Sequence, residues 1–163
     1  MNGNQYSDWV ANYIVYNFSD RGLTVYREVP IGKSIIGKNR RVDILLVDEA
    51  QNKAISIECK FQTINGTAEE KIPYTLNDIR AMQMDAYISY GGDGFSKGVK
   101  HMLEASELAV HAEPEDLSHV NYSRTPNTLE LDQVLAMRFN WWDIFTSNKY
   151  PVKLQNELDI KAD

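Results

Sequence analysis

The chain has 163 residues, enough for one domain with a sizeable core, and its 43% apolar and 25% charged residues are ordinary for a soluble globular protein. No apolar run approaches the roughly 20 residues that a membrane helix needs, and the first residues lack the basic and apolar segments of a secretory signal. The formal net charge of −6 argues against a protein that coats nucleic acid, although the acidity is concentrated after residue 103, where 11 acidic residues accompany 5 basic ones.

The single cysteine, Cys59, sets limits on the covalent and metal chemistry of the chain. One cysteine cannot form an internal disulfide, and it cannot build a cysteine-only metal site. A chain without disulfides fits a reducing compartment, so we expect a cytoplasmic protein.

The first third of the chain is predicted to form one helix and three strands. Apolar residues at helical spacing predict a helix over residues 5–20, with Ser7 or Asp8 as its cap and Gly22 at its end. Two runs rich in β-formers follow at 24–31 and 40–47, joined by a polar turn. A hairpin turn at 48–53 leads to a third strand over 54–62, in which apolar and polar residues alternate.

The rest of the chain alternates between predicted helices and strands. Helices are predicted over 68–82, 95–106 and 129–145, and strands over 84–90 and 108–112. Thr67 and Glu70 have the spacing of a capping box for the first of these helices. The element order predicts an α+β fold in which helices flank a mixed sheet, within one domain that spans residues 1–163.

The candidate metal-binding and catalytic residues lie on or beside the polar face of the third predicted strand. Glu58 and Lys60 are two residues apart, so they project from the same face of the strand. Asp43 lies in the preceding strand, and the short hairpin is expected to bring it beside them. Carboxylates bind hard cations such as Mg²⁺, which polarise a phosphate and activate a water molecule, while a lysine can stabilise the developing charge. An ordinary solvated Glu–Lys pair is the alternative interpretation of these charges.

Val42-Asp43, fourteen intervening residues and Glu58-Cys59-Lys60 together resemble the motif of the PD-(D/E)XK nuclease superfamily. The resemblance covers residues 5–112, with Val42 in place of the motif's proline, and residues 128–146 form a helical extension. It implies a restriction endonuclease-like fold with the core order αβββαβ, and a bacterial or phage nuclease. It also implies that Asp43, Glu58 and the backbone carbonyl of Cys59 bind Mg²⁺, with Mn²⁺ as a substitute, and that Lys60 assists the nucleophile.

Further candidate residues follow from the same resemblance. Many members carry an acidic residue in the first helix as an extra metal ligand, and Asp8 is the candidate here, unless it only caps the helix. Gln62 shares the face of Glu58 and is either a substrate contact or a polar strand end. Residues 66–74 resemble a segment of some bacterial and phage nucleases, in which Thr67 and Lys71 would bind a phosphate, unless they only begin a capped helix.

Two weaker patterns complete the candidate substrate contacts. Arg41 belongs to a basic run that could contact phosphates beside the site, or simply be solvated; its other members are Lys33, Lys38 and Arg40. Gln83 and Tyr87 have the Q-x-x-x-Y spacing of one branch of these nucleases, although Tyr87 is expected in a strand.

The sequence therefore predicts a Mg²⁺-dependent DNA endonuclease that hydrolyses phosphodiester bonds by metal-activated water. It is expected to need no organic cofactor and no membrane, and to act as a homodimer or higher homo-oligomer. A catalytically inactive nucleic-acid-binding or scaffolding domain of the same fold is the main alternative, and an accessory domain without a nucleic-acid role is another.

Overall fold

The computed structural model describes residues 1–64 and 70–153, and a five-stranded sheet with the strand order β1-β2-β3-β4-β5 lies at its centre. The first three strands are antiparallel, and the last two run parallel to β3, which confirms the predicted mixed sheet. The strands are β1 (Thr24–Lys33), β2 (Asn39–Asp48), β3 (Lys53–Phe61), β4 (Asp85–Gly91) and β5 (Ala109–His111).

Helices cover both faces of the sheet, as the sequence predicts. The helices are α1 (Gly3–Phe18), α2 (Lys71–Arg80), α3 (Lys97–Glu104), α4 (Leu129–Phe139) and α5 (Asp143–Thr146). In the part of the chain that the structure describes, no helix has the length and apolar character needed to cross a membrane. The predicted start of the second helix, and Thr67 with it, lies outside the described residues.

The prediction for the beginning of α1 is wrong by two residues, because Asn2 caps the helix. The Asn2 side chain accepts the Gln5 N–H, and the Gln5 side chain accepts the Asn2 N–H, which completes a capping box. Ser7 and Asp8 therefore lie within the helix and are not its cap. Gly22 adopts a positive φ of 79° just after a short 3₁₀ turn that follows α1, and this agrees with its predicted role.

The predicted last helix is divided into two at Asn140. This residue adopts the left-handed conformation, which asparagine tolerates better than most residues, and it ends α4. The chain then turns, and the ring of Trp141 stacks on Phe18 of the first helix. The C-terminal helical extension therefore packs into the same core as α1, with Leu131 and Leu135 fully buried.

Successive side chains of β3 point to opposite faces of the sheet, and an apolar cluster of the core lies on each face. Ile57 and Cys59 point into the cluster that contains α1 and α4, together with Tyr87 of β4. The other face of the sheet packs against α2 and α3 through a second cluster. Glu58 and Lys60 lie on this second face because adjacent residues in a strand point to opposite sides. Tyr87 consequently lies on the face opposite to Glu58.

Candidate active site

The site lies where β2 and β3 separate. The last paired residues of these strands are Ile44 and Ile57, so the ladder ends just before Asp43. Instead of a backbone carbonyl, the Asp43 carboxylate accepts the Cys59 N–H, with an N to Oδ2 distance of 2.7 Å. Buried backbone N–H groups need a hydrogen-bond partner, and this side chain supplies one where the sheet no longer does. The bond fixes the Asp43 carboxylate beside β3.

Glu58 and Lys60 are brought together on the face of β3 that α2 covers. Their side chains are 17% and 26% exposed, and Lys60 Nζ lies 3.7 Å from Glu58 Oε2. Burial and the negative charge of Asp43 raise the pKa of Glu58 to about 7, while Lys60 opposes the shift. The three residues that the sequence singles out therefore interact with one another in the folded chain.

This arrangement fits a divalent cation of the Mg²⁺ type. A buried carboxylate whose charge is disfavoured by a neighbouring carboxylate gains stability from a cation, and its oxygen donors suit a hard metal ion. Within residues 1–64 and 70–153, no group of three or more His, Cys, Asp or Glu side chains is placed to hold a metal. Two carboxylates are nevertheless a usual protein contribution for Mg²⁺, which keeps several waters and binds substrate phosphates directly.

Asp8 is engaged by Arg27 of β1. The Arg27 guanidinium forms an ion pair with the Asp8 carboxylate through Nη1, and its Nε donates to the backbone carbonyl of Asp43 at 3.2 Å. Arg27 therefore connects α1 to the strand that carries Asp43. The Asp8 side chain is 64% exposed, and a metal-binding role for it stays a prediction.

A further ion pair, which the sequence does not indicate, lies beside Glu58. Arg40 of β2 and Asp78 of α2 lie 2.8 Å apart and are 11% and 13% exposed. The hydrogen bonds from Arg40 lower the pKa of Asp78, and the Asp78 charge contributes to the raised pKa of Glu58. Residues 40 and 78 belong to elements far apart in the chain, so no spacing rule could pair them.

The predicted substrate contacts occupy different surroundings. Gln62 is 6% exposed, and its Nε2 donates to the Gly94 carbonyl at 3.0 Å, so its side chain is engaged in the loop after β4. Arg41 is exposed and pairs with Glu28 at 2.7 Å. Lys71 is exposed at the first residue of α2, and Thr67 lies outside the described residues. Their roles toward a substrate stay predictions.

The chain matches one protein-family model and is similar to two solved structures. The sequence model of the PD-(D/E)XK nuclease superfamily domain matches residues 2–142. Among solved structures, the chain is similar to a repair endonuclease from Pyrococcus abyssi, with 22% identity, a TM-score of 0.37, and coverage of 63% of this chain and 44% of that one. It is also similar to a protein of unknown function, with 14% identity, a TM-score of 0.37, and coverage of 60% and 53%. The chain thus spans about half the length of these proteins. No match was found among curated proteins.

Proposed function

The chain belongs to the PD-(D/E)XK nuclease superfamily, and we propose that it is a divalent-metal-dependent endonuclease that hydrolyses phosphodiester bonds in DNA. The observation that carries this proposal is the buried Glu58 carboxylate beside Asp43, with Lys60 as its neighbouring cation. Keeping two carboxylates this close together in a largely buried site lowers the stability of the fold, which indicates that the pair is retained for a function.

Asp43 and Glu58 would hold the metal, together with the backbone carbonyl of Cys59. When bound, Mg²⁺, or Mn²⁺ in its place, supplies Lewis acidity and neutralises charge on the phosphate. The hydrogen bond from the Cys59 N–H occupies Asp43 Oδ2. Among the described residues, Asp43 Oδ1 receives no hydrogen bond and can face a ligand. Asp43 therefore combines a structural contact with a binding role.

Lys60 is the residue that would act on the reacting phosphate. Its ammonium lies 3.7 Å from Glu58 Oε2, too far for a short hydrogen bond, so it retains donors for a phosphate oxygen or for the attacking water. A positive charge held beside the phosphate stabilises the charge that develops there during hydrolysis. Arg41, Lys71, Thr67 and Gln62 are proposed contacts to the DNA. We further propose that the protein works in the cytoplasm as a homo-oligomer.

Cleavage assays on supercoiled plasmid and on branched DNA, with Mg²⁺, Mn²⁺ or EDTA, test this function. We expect cleavage with either metal and none with EDTA. Asp43→Ala and Lys60→Ala should reduce cleavage at least a hundredfold, whereas the matched control Lys97→Ala, at an exposed position of α3, should retain it. DNA binding without any metal-dependent cleavage would instead establish the catalytically inactive binding domain. Undiminished cleavage by both variants would show that the reaction centre lies elsewhere.

A further inference from the structure

The turn between β1 and β2 exposes two adjacent isoleucines. We call residues 34–38 the hairpin tip; the Ser34 N–H donates to the Lys38 carbonyl at 2.8 Å and closes it. Ile35 and Ile36 are 48% and 60% exposed. Burying an isoleucine side chain stabilises a protein by roughly 1.5–3 kcal/mol, so two neighbouring isoleucines left in water favour a function at this position.

The hairpin tip is held firmly against α2 by Asp78. The Ile35 N–H donates to Asp78 Oδ1 at 2.8 Å, and Arg40 donates to the same carboxylate through Nε at 3.0 Å and through Nη2 at 2.8 Å. This ion pair is nearly buried and bidentate, and bidentate pairs of arginine and carboxylate are among the stronger hydrogen-bonded contacts in proteins. The backbone that carries the isoleucines is therefore anchored to α2.

The hairpin around the tip is cationic. Residues 33–41 carry four basic side chains and no acidic one. Among the residues that the structure describes, Lys33 bonds only to the neutral Asn39 amide, at 2.5 Å, so no carboxylate neutralises its charge there, and Lys38 is exposed. Arg40 is paired with Asp78 and Arg41 with Glu28. Two lysines on either side of an apolar pair complement a surface that is apolar at its centre and anionic at its edges.

DNA opened at one base step is such a surface. Apolar side chains insert between base steps, while basic residues contact the phosphates on either side. We infer that Ile35 and Ile36 insert at an unpaired or unstacked step, so that the preferred substrate is duplex DNA already opened by a bulge or a branch. Opening a perfect duplex costs a few kcal/mol for each step, and a bulge has already lost that stacking. This inference rests on the nuclease function proposed above.

The strand geometry gives the distance between the opened step and the cut. Asp43 lies seven residues after Ile36, and a strand rises about 3.3 Å for each residue, so the two are at most about 23 Å apart. With about 3.4 Å for each base step, cleavage should fall within about seven nucleotides of the opened step.

A pair of 30-base-pair duplexes, one perfect and one with a central three-nucleotide bulge next to 2-aminopurine, tests the inference. We expect the wild type to cleave the bulged duplex at least tenfold more efficiently in Mg²⁺, within about seven nucleotides of the bulge, and to change the 2-aminopurine fluorescence on binding in EDTA. The double variant Ile35→Ser and Ile36→Ser should lose this preference to within about twofold, because its cleavage of the bulged duplex falls towards that of the perfect duplex. The control double variant Leu117→Ser and Val120→Ser removes apolar side chains of similar exposure, 45% and 46%, and should behave as the wild type.

Several results would overturn the inference. Equal cleavage of both duplexes by the wild type would do so, as would a preference that persists in the Ile35→Ser and Ile36→Ser variant or is lost equally in the control. Loss of self-association in the same variant, measured by sedimentation, would assign the hairpin tip to a contact between copies of the chain. If neither duplex is cleaved or bound, the nuclease proposal fails as well, whereas cleavage without preference contradicts only the role of the hairpin tip.

Discussion

The carboxylate of Asp43 accepts the backbone N–H of Cys59 at 2.7 Å, at the place where the ladder between β2 and β3 ends. One oxygen of this carboxylate thus completes the sheet, and the other receives no hydrogen bond from residues 1–64 or 70–153. The same bond holds the Asp43 carboxylate beside Glu58, where its negative charge adds to the effect of burial in raising the pKa of Glu58.

Substitutions of Asp43 should separate its structural contact from its proposed metal binding. Asp43→Asn keeps an oxygen that can accept the Cys59 N–H, so we expect little change in the free energy of unfolding. Asp43→Ala leaves that N–H without its partner and should cost about 1–3 kcal/mol, measured by urea unfolding. Both variants should lose Mn²⁺ binding in calorimetric titrations. Equal stability of the two variants, or full Mn²⁺ affinity in Asp43→Asn, would contradict this division of roles.

The stability of the metal-free protein should fall with rising pH because of Glu58. The folded state raises the pKa of Glu58 from 4.5 to about 7, so between these values the folded chain binds more protons than the unfolded chain. The contribution of Glu58 to the free energy of unfolding therefore decreases across pH 4.5–7, and at pH 8 in EDTA it amounts to a destabilisation of up to about 3 kcal/mol.

Glu58→Gln should remove this pH-dependent loss and unfold at a higher temperature than the wild type at pH 8 in EDTA. The exposed Glu49→Gln serves as the matched control and should follow the wild-type pH dependence. A strong loss of stability in Glu58→Gln at pH 8 would instead give Glu58 a structural role.

Metal binding should offset the loss of folding stability that the charged Glu58 carboxylate causes. A ligand whose concentration is a hundred times its dissociation constant stabilises the folded state by about 2.7 kcal/mol. For a chain of this size, that corresponds to a rise of about 5–10 °C in the unfolding temperature. We expect saturating Mn²⁺ to raise the unfolding temperature of the wild type by that amount, and to leave Glu58→Gln nearly unchanged. Thermal scans at increasing Mn²⁺ measure the effect, and equal shifts in both proteins would place the ion at another site.

Asp8→Asn tests whether the acidic residue of α1 is a metal ligand. Its carboxylate is largely exposed and paired with Arg27, and exposed ion pairs contribute little to stability. If Asp8 serves only as the partner of Arg27, the variant should lose less than about 1 kcal/mol in urea unfolding and keep a Mn²⁺ affinity within about threefold of the wild type. A loss of tenfold or more in Mn²⁺ affinity would show that Asp8 leaves Arg27 to bind the ion.

The sequence predicts the local parts of this site well. Strand alternation alone places Glu58 and Lys60 on one face, a short hairpin brings Asp43 beside β3, and the resemblance to PD-(D/E)XK nucleases is confirmed by the family match over residues 2–142. These inferences succeed because they depend on neighbours within a strand or within one hairpin.

Contacts between distant segments could not be predicted in the same way. The Asp78 carboxylate accepts hydrogen bonds from Arg40 and from the Ile35 N–H, which lie 38 and 43 positions before it in the chain. Likewise, Gln62 has the spacing of a site residue, but its amide donates to the Gly94 carbonyl in a loop whose path the sequence does not reveal. Such contacts depend on the packing of whole elements, which periodicity does not encode.

Diffraction from a crystal soaked in Mn²⁺ tests most directly whether Asp43 and Glu58 form a metal-binding pair of carboxylates. We expect an anomalous density peak within about 2.1 Å of one Asp43 oxygen and one Glu58 oxygen in the wild type, and none there in Glu58→Gln. A Mn²⁺ peak bound elsewhere, with no density between Asp43 and Glu58 at saturating Mn²⁺, would contradict the account.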